Sequence, residues 1–200
     1  APRRDPAAAR ALVAPTWAEL RAAEPALATD LFPDPAGTGP WLASAGDLLD
    51  GWFALEDPRR IEPAARELLV EVELASGLLL RGYVDRLDVA ADGRMRVVDY
   101  KTGSAPPPPG EARALFPMKF YALALLLLHG RAPEELRLVY LGDRTVLGYR
   151  PDAAELLRFA GELEAIWAAV LEAGATGDFR PSPSRACDWC AHRPRCPAWG

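Results

Sequence analysis

The sequence predicts a mixed α/β fold, a central sheet flanked by helices and preceded by a helical region. Three observations carry that expectation. Between Glu67 and Tyr100, three strand-like stretches are separated by the turn signals Ala75-Ser76-Gly77 and Ala91-Asp92-Gly93, which reads as a meander. Two more short strand patterns, Leu136 to Leu141 and Thr145 to Tyr149, follow only after an apolar helical segment. A long amphipathic helix comes next, so strands and helices are interleaved rather than segregated. With 200 residues, 50% of them hydrophobic, the chain can bury a full core as one domain with elaborations.

Residues 1–63 read as a helical N-terminal region. The chain opens on Ala1 rather than methionine, as a piece of a longer protein would, and Pro2-Arg3-Arg4-Asp5-Pro6 has the composition of a linker. Thr16 with Glu19 forms a capping-box pattern ahead of a short helix ending near Pro25. Asp30 to Pro40 is rich in proline and glycine and reads as a loop. From Trp41 the apolar residues Leu42, Ala45, Leu48, Leu49, Trp52 and Phe53 recur at helical spacing, with Pro40 as the start signal. Their aromatic face is expected in the core.

Residues 64–180 hold the sheet. Glu67 to Leu74 is the first strand, the segment around Gly82-Tyr83-Val84-Asp85-Arg86 the second, and Arg94 to Tyr100 the third. Thr102 to Gly110 contains four consecutive prolines and reads as a stiff extended loop. A helix is expected from about Pro117 to His129, stopped by Gly130. Gly142-Asp143-Arg144 separates the last two strands, and Asp152 with Glu155 caps a helix that should end at Gly174. Residues 181–200 form a tail.

A net charge of -5 gives no global attraction for nucleic acid. DNA binding would have to come from a local basic groove or from metal ions that offset the acids. The longest apolar run, Tyr121 to Leu128, is too short for a bilayer and reads as a core helix. No signal-peptide pattern is visible, which points to the cytoplasm.

Chemistry concentrates on the second hairpin. Folding it about Ala91-Asp92-Gly93 sets Asp85 opposite Asp99 or Tyr100, and strand alternation turns Asp99 and Lys101 to one face and Tyr100 to the other. Lys101 and Lys119 are the only lysines among 23 basic residues. A chain that otherwise uses arginine has kept lysine where a compact ammonium differs from a guanidinium fork. Two readings stand at this level. Asp99 and Lys101 form a surface ion pair worth roughly 0–1 kcal/mol, or two acids and a lysine hold a metal ion and a phosphate.

All three cysteines lie in the tail, Cys187, Cys190 and Cys196, at C-x2-C-x5-C spacing. An odd count and no export signal argue against disulfides and for metal binding. Zinc could use the three thiolates and His192. An iron–sulfur cluster takes four thiolates, one more than the chain has.

Together these segments carry a family resemblance. From about Glu62 onward the chain resembles the RecB-like, AddB-like branch of the PD-(D/E)XK nuclease superfamily. The likeness rests on Gly82-Tyr83-Val84-Asp85-Arg86, on Val98-Asp99-Tyr100-Lys101-Thr102-Gly103, on Phe120-Tyr121-Ala122-Leu123-Ala124-Leu125, and on the cysteine cluster after Phe179-Arg180-Pro181. It implies a restriction-endonuclease-like mixed central sheet and a metal-dependent DNA exonuclease of repair or recombination. Asp85, Asp99 and the Tyr100 backbone carbonyl would bind Mg2+ or Mn2+, Lys101 would orient or help deprotonate the attacking water, and Tyr121 would line the site. Cys187, Cys190 and Cys196 would be ligands of a [4Fe-4S] cluster. Partners implied are single-stranded DNA or a duplex end, and a helicase subunit or fused helicase domain.

Three departures accompany the likeness. Pro117 stands where the family has a glutamine, no histidine lies upstream of the sheet, and the fourth cluster cysteine is absent. A chain that begins late would lack the last two. An inactive, nuclease-like DNA-binding or scaffold module is the alternative expectation. A zinc-binding interaction domain with a merely solvated acidic hairpin is a third.

Overall fold

The computed structural model describes residues 4–199. It divides into two compact units, Ala1–Arg158 and Phe159–Gly200.

In the first unit, helix α1 spans Pro6–Ala23. Asp5 is its N-cap, the carboxylate accepting from the Ala8 N–H at 2.9 Å, and Pro6 fills the first helical turn, where no backbone donor is needed. Asp5 and Pro6 thus start a helix instead of belonging to a linker; residues 2 and 3 of that expected linker lie outside the described residues. Thr16 consequently sits inside α1, and the expected capping box with Glu19 is not formed. Helix α2, Pro25–Leu31, takes up the start of the expected loop, and α3 spans Thr38–Leu55. Trp17, Phe32 and Trp41 meet edge-to-face, with Trp17 and Trp41 centroids 5.1 Å apart, and Arg10 donates to Asp50 at 2.8 Å to tie α1 to α3.

The sheet has strand order β1-β2-β3-β4-β5, from Ala65–Glu73, Leu79–Val89, Met95–Lys101, Glu135–Tyr140 and Thr145–Tyr149. The first three strands are the expected antiparallel meander. Gly77 and Gly93 occupy its turns with φ of 76° and 79°, a region that costs glycine little. β3 and β4 pair in parallel, which requires a crossover, and α4 supplies it. β5 returns antiparallel to β4.

Helix α4 runs Pro108–His129, starting well before the expected Pro117. Pro108 and Pro109 suit a first turn, so the proline run that reads as loop is in part a helix start. Pro117 therefore lies inside the helix, where it has no N–H to offer the preceding turn. Gly130 stops the helix as expected, with φ of 69° and its N–H on the Leu126 carbonyl at 2.8 Å. α4 packs on β1 to β4 and buries Leu115, Met118 and Ala122 to Leu125. The sequence reading found no segment long enough to span a bilayer. By length and composition alone, α4 is one.

α3 approaches the end of β4 closely. A Cβ built on Gly51 would lie 2.5 Å from the Leu141 carbonyl oxygen, so only glycine fits. Helix α5 spans Ala153–Thr176. Asp152 accepts from the Ala154 N–H at 2.8 Å, as its expected capping role requires. The helix passes Gly174 and ends only at Gly177, whose φ is 73°. In the second unit, two short 3-10 turns follow it, Arg185–Trp189 and Arg193–Arg195.

Gly51→Ala is expected to destabilise the first unit by roughly 1–3 kcal/mol through overpacking against a backbone carbonyl. Urea denaturation checks it, with Gly39→Ala, where a Cβ meets nothing within 4 Å, as the control.

Candidate active site

The hairpin brings the predicted side chains together at the point where strand pairing stops. β2 and β3 pair from Val89↔Met95 to Arg86↔Val98 and no further. At the next position Asp85 faces β3 with its side chain, and its Oδ2 accepts the Tyr100 N–H at 2.8 Å. A carboxylate has replaced a backbone carbonyl in the ladder. Such a charge-assisted bond fixes Asp85 without using its other oxygen.

Asp99 and Lys101 share a face, as alternation demands, with Nζ 2.6 Å from Asp99 Oδ2. The two ends differ in environment: the Asp99 side chain is 8% exposed and the Lys101 side chain 44%. Burial pushes the Asp99 carboxyl above its usual range; the Lys101 ammonium pulls the other way and the Asp85 charge adds to the rise. Burial also lowers the affinity of Lys101 for its proton, but the Asp99 hydrogen bond and charge outweigh it, so its net shift is upward. Lys101 is a cation at neutral pH. Tyr121 lies on α4 within electrostatic reach of Asp99, Asp85 and Lys101, and burial raises its hydroxyl pKa. Its ring rests against bare backbone: a Cβ on Gly82 would come 2.7 Å from Tyr121 Cε1. Pro117, one turn earlier, offers no side-chain amide.

These donors fit a hard divalent cation. Asp99 Oδ2 is buried and carries the Lys101 ammonium at 2.6 Å, and Asp85 keeps one oxygen uncommitted by the Tyr100 N–H. Two carboxylates and the Tyr100 carbonyl are oxygen donors of the kind Mg2+ and Mn2+ prefer.

On the other side of β3, Tyr100 enters a network that the sequence reading missed. Arg86 binds Glu56 through both guanidinium nitrogens, at 2.7 and 2.8 Å. The Tyr100 hydroxyl donates to Glu56 at 2.8 Å and accepts from Arg86. Arg86 also donates to Asp88 at 3.2 Å, which accepts from Arg96 at 2.8 Å. Burial and the neighbouring Glu56 raise the Tyr100 pKa to about 12. For Glu56, burial favours the neutral acid, but hydrogen bonds from Arg86 and Tyr100 outweigh it and hold the carboxyl below its usual range. Each candidate acid, Asp85 and Asp99, is followed directly by a network member. The available signal was Glu56 at the end of the α3 periodicity, beside an arginine that follows an aspartate in β2.

The tail does not assemble the expected metal site. Among the described residues no group of three or more His, Cys, Asp or Glu side chains is placed to hold an ion. Cys187, Cys190 and Cys196 are free thiols carried on two separate turns, and the Cys187 sulfur accepts the Ser184 N–H at 3.3 Å. His192 does not complete a zinc set. The chain's three cysteines also fall short of the four thiolates of a [4Fe-4S] cluster.

A five-strand mixed sheet with helices at its flanks and acids at the splayed end of a hairpin defines a nuclease-type α/β fold. The family model of the PD-(D/E)XK nuclease superfamily matches residues 1–197, and the chain belongs to that superfamily. Nucleases of this superfamily generally use Mg2+ or Mn2+. Over 71 residues the chain is 45% identical to the Gene 69 protein of Mycobacterium phage D29, which covers 35% of this chain and 23% of that protein. The chain thus spans about a quarter of the length of that curated relative. A solved structure described as "Crystal structure of SSO0001" is 19% identical, covers 92% of this chain and 81% of its own, and has a TM-score of 0.36.

Glu56→Ala is expected to cost roughly 1.5–3 kcal/mol, since it removes the bidentate partner of the buried Arg86 and leaves that charge to Asp88. Because the folded-state pKa of Glu56 is depressed, its stabilisation is complete above the ordinary carboxylate range and is lost as pH falls through the depressed value. In urea titrations on the acid side of about pH 5, Glu56→Gln should therefore lose less stability on acidification than the parent chain.

Proposed function

We propose that this chain is a cytoplasmic, metal-dependent DNA exonuclease of the RecB-like branch, acting in repair or recombination on single strands or duplex ends. The observation that carries the reading is the Asp85 carboxylate clasped by the Tyr100 N–H beside the Asp99–Lys101 pair. Asp85, Asp99 and the Tyr100 carbonyl would hold Mg2+ or Mn2+. The bound ion supplies Lewis-acid polarisation of a phosphate oxygen and a more acidic water.

The chain's own groups divide the remaining work. Lys101, kept protonated by Asp99, is a donor; it orients the incoming water or meets a phosphate oxygen on which negative charge accumulates. A cationic lysine is not a base, so the role left to it is orientation and charge stabilisation. Asp99 anchors that ammonium from the buried side, which leaves the exposed end of Lys101 for substrate. Tyr121, with its hydroxyl neutral at physiological pH, can donate a hydrogen bond to the DNA backbone. A helicase subunit or fused helicase is the expected partner.

A second reading, a weakened nuclease-like module that binds DNA or braces a partner, is favoured by one observation. Pro117 leaves the turn before Tyr121 without the side-chain amide the family places there. Within the first reading the tail would contribute three thiolates to an iron–sulfur cluster only with a fourth ligand from elsewhere. No step of the hydrolysis uses it. Visible charge-transfer absorbance with bound iron would support the cluster, and a colourless, zinc-loaded protein would exclude it.

Hydrolysis of end-labelled single- and double-stranded DNA in Mg2+ or Mn2+ tests the leading reading. Asp99→Ala and Lys101→Ala should each lower the rate by at least about 100-fold. Activity that survives both substitutions sinks the proposed site, and no activity in the parent chain favours the binding module.

A further inference from the structure

We infer that the cavity beside Asp85 receives the phosphodiester backbone of single-stranded DNA, with Arg66 as its phosphate anchor. The inference rests on reading Asp85 as part of a phosphodiester-cleaving site. The cavity holds about 830 Å³ and is lined by Arg4, Trp52, Arg66, Glu67, Asp85 and Tyr100, among others. That volume lies within the range of about 300–1,000 Å³ typical of small-ligand sites, room for one backbone passing Asp85.

Among the described residues three arginines reach this concavity, and only Arg66 is uncommitted. Arg86, in register opposite Arg66, is spent on Glu56, Tyr100 and Asp88. Arg4 donates to the Pro58 and Ile61 carbonyls at 3.0 and 3.3 Å and pairs with Glu62 at 3.6 Å, so it shapes the wall. Arg66 is exposed and, among the described residues, its side chain has neither a hydrogen bond nor an ion pair. It projects from edge strand β1, beside the strand position of the candidate ligand.

The backbone at this point is unusual in a way that serves the opening. Glu67 would face Asp85 in the β1–β2 register, yet it carries a φ of 47°, and the pairing passes from Arg66↔Arg86 to Leu68↔Val84 without it. The ladder is thus interrupted at Asp85, which lines the cavity together with Arg66 and Glu67. The wall's acids, Glu62 and Glu67, limit net attraction, so a phosphate is drawn to the unpaired Arg66 guanidinium rather than to the whole wall. Trp52 and Tyr100 add aromatic surface against which sugars and bases can rest.

The test is fluorescence anisotropy of a fluorescein-labelled single-stranded DNA oligonucleotide in Ca2+ buffer over a range of salt. Arg66→Ala should weaken binding about five- to tenfold at fixed salt, the scale of one lost charge-assisted contact. It should also flatten the slope of log K against log salt by about 0.7, the counterion yield of one single-strand phosphate. Arg66→Lys should restore most of that slope. Arg81→Ala removes a cation of the same strand pair, held by Glu71 at 3.4 Å and outside the cavity, and should change neither quantity. Arg66→Gln provides a second variant if alanine disturbs the strand edge, and a thermal melt confirms folding of each. Wild-type affinity and slope in folded Arg66→Ala or Arg66→Gln overturn the inference, as does an equal change in Arg81→Ala. Asp99→Ala separates this inference from the nuclease reading. If it abolishes hydrolysis while binding keeps its Arg66-dependent slope, both hold. If hydrolysis persists, the catalytic assignment falls and the slope alone decides Arg66.

Discussion

The bidentate pairing of Arg86 with Glu56 is the interaction on which the candidate site depends. Both side chains are nearly out of solvent, at 4% and 9% exposure, so each charge depends on its partners: Glu56 on Arg86, and Arg86 on Glu56 and Asp88. Through them the end of α3 grips β2 and, by the Tyr100 hydroxyl, β3. That grip acts one residue away from each acid. Arg86 holds the backbone that carries Asp85, and Tyr100 holds the backbone that carries Asp99 and presents the N–H to which Asp85 is bound. The chemistry of one side of the hairpin is therefore positioned by ion pairing on the other.

The same logic accounts for the splayed end of the hairpin. Regular pairing would bury the backbone groups of Asp85 and Asp99 in a continuous ladder and close the gap between strands. A carboxylate accepting the Tyr100 N–H satisfies that donor while ending the ladder. Oxygen donors are then gathered where the two strands part, a short distance from a fully buried core that includes Val84, Val97 and Val98.

Much of this was legible in the sequence. Alternation and turn glycines gave the meander, and alternation alone put Asp99 and Lys101 on one face and Tyr100 on the other. The crossover helix was also visible, because Gly130 marks its end plainly. Its beginning was not, since four prolines read as extended loop whether or not the last of them start a helix. Glu56 was invisible for a different reason. A single acid at a helix end resembles any solvated residue, and its partner lies in another element, so no local pattern announces the pair. Thr16 shows the opposite error: a local capping signal was present, but Asp5 with Pro6 initiates the helix earlier and absorbs Thr16 into it. In the tail, cysteine spacing suggested a gathered metal site, whereas among the described residues two successive turns do not bring the three thiols into one ligand group.

The absence of a side chain at Gly82 binds two distant positions into one unit. Because the Tyr121 ring occupies the volume where any Cβ at position 82 would stand, a larger residue in β2 requires that ring to shift or a smaller one to take its place. A substitution at either position is therefore felt at the other, although nearly forty residues of sequence, a strand and a proline run lie between them. An aromatic ring seated on naked backbone makes the crossover helix answerable to the hairpin.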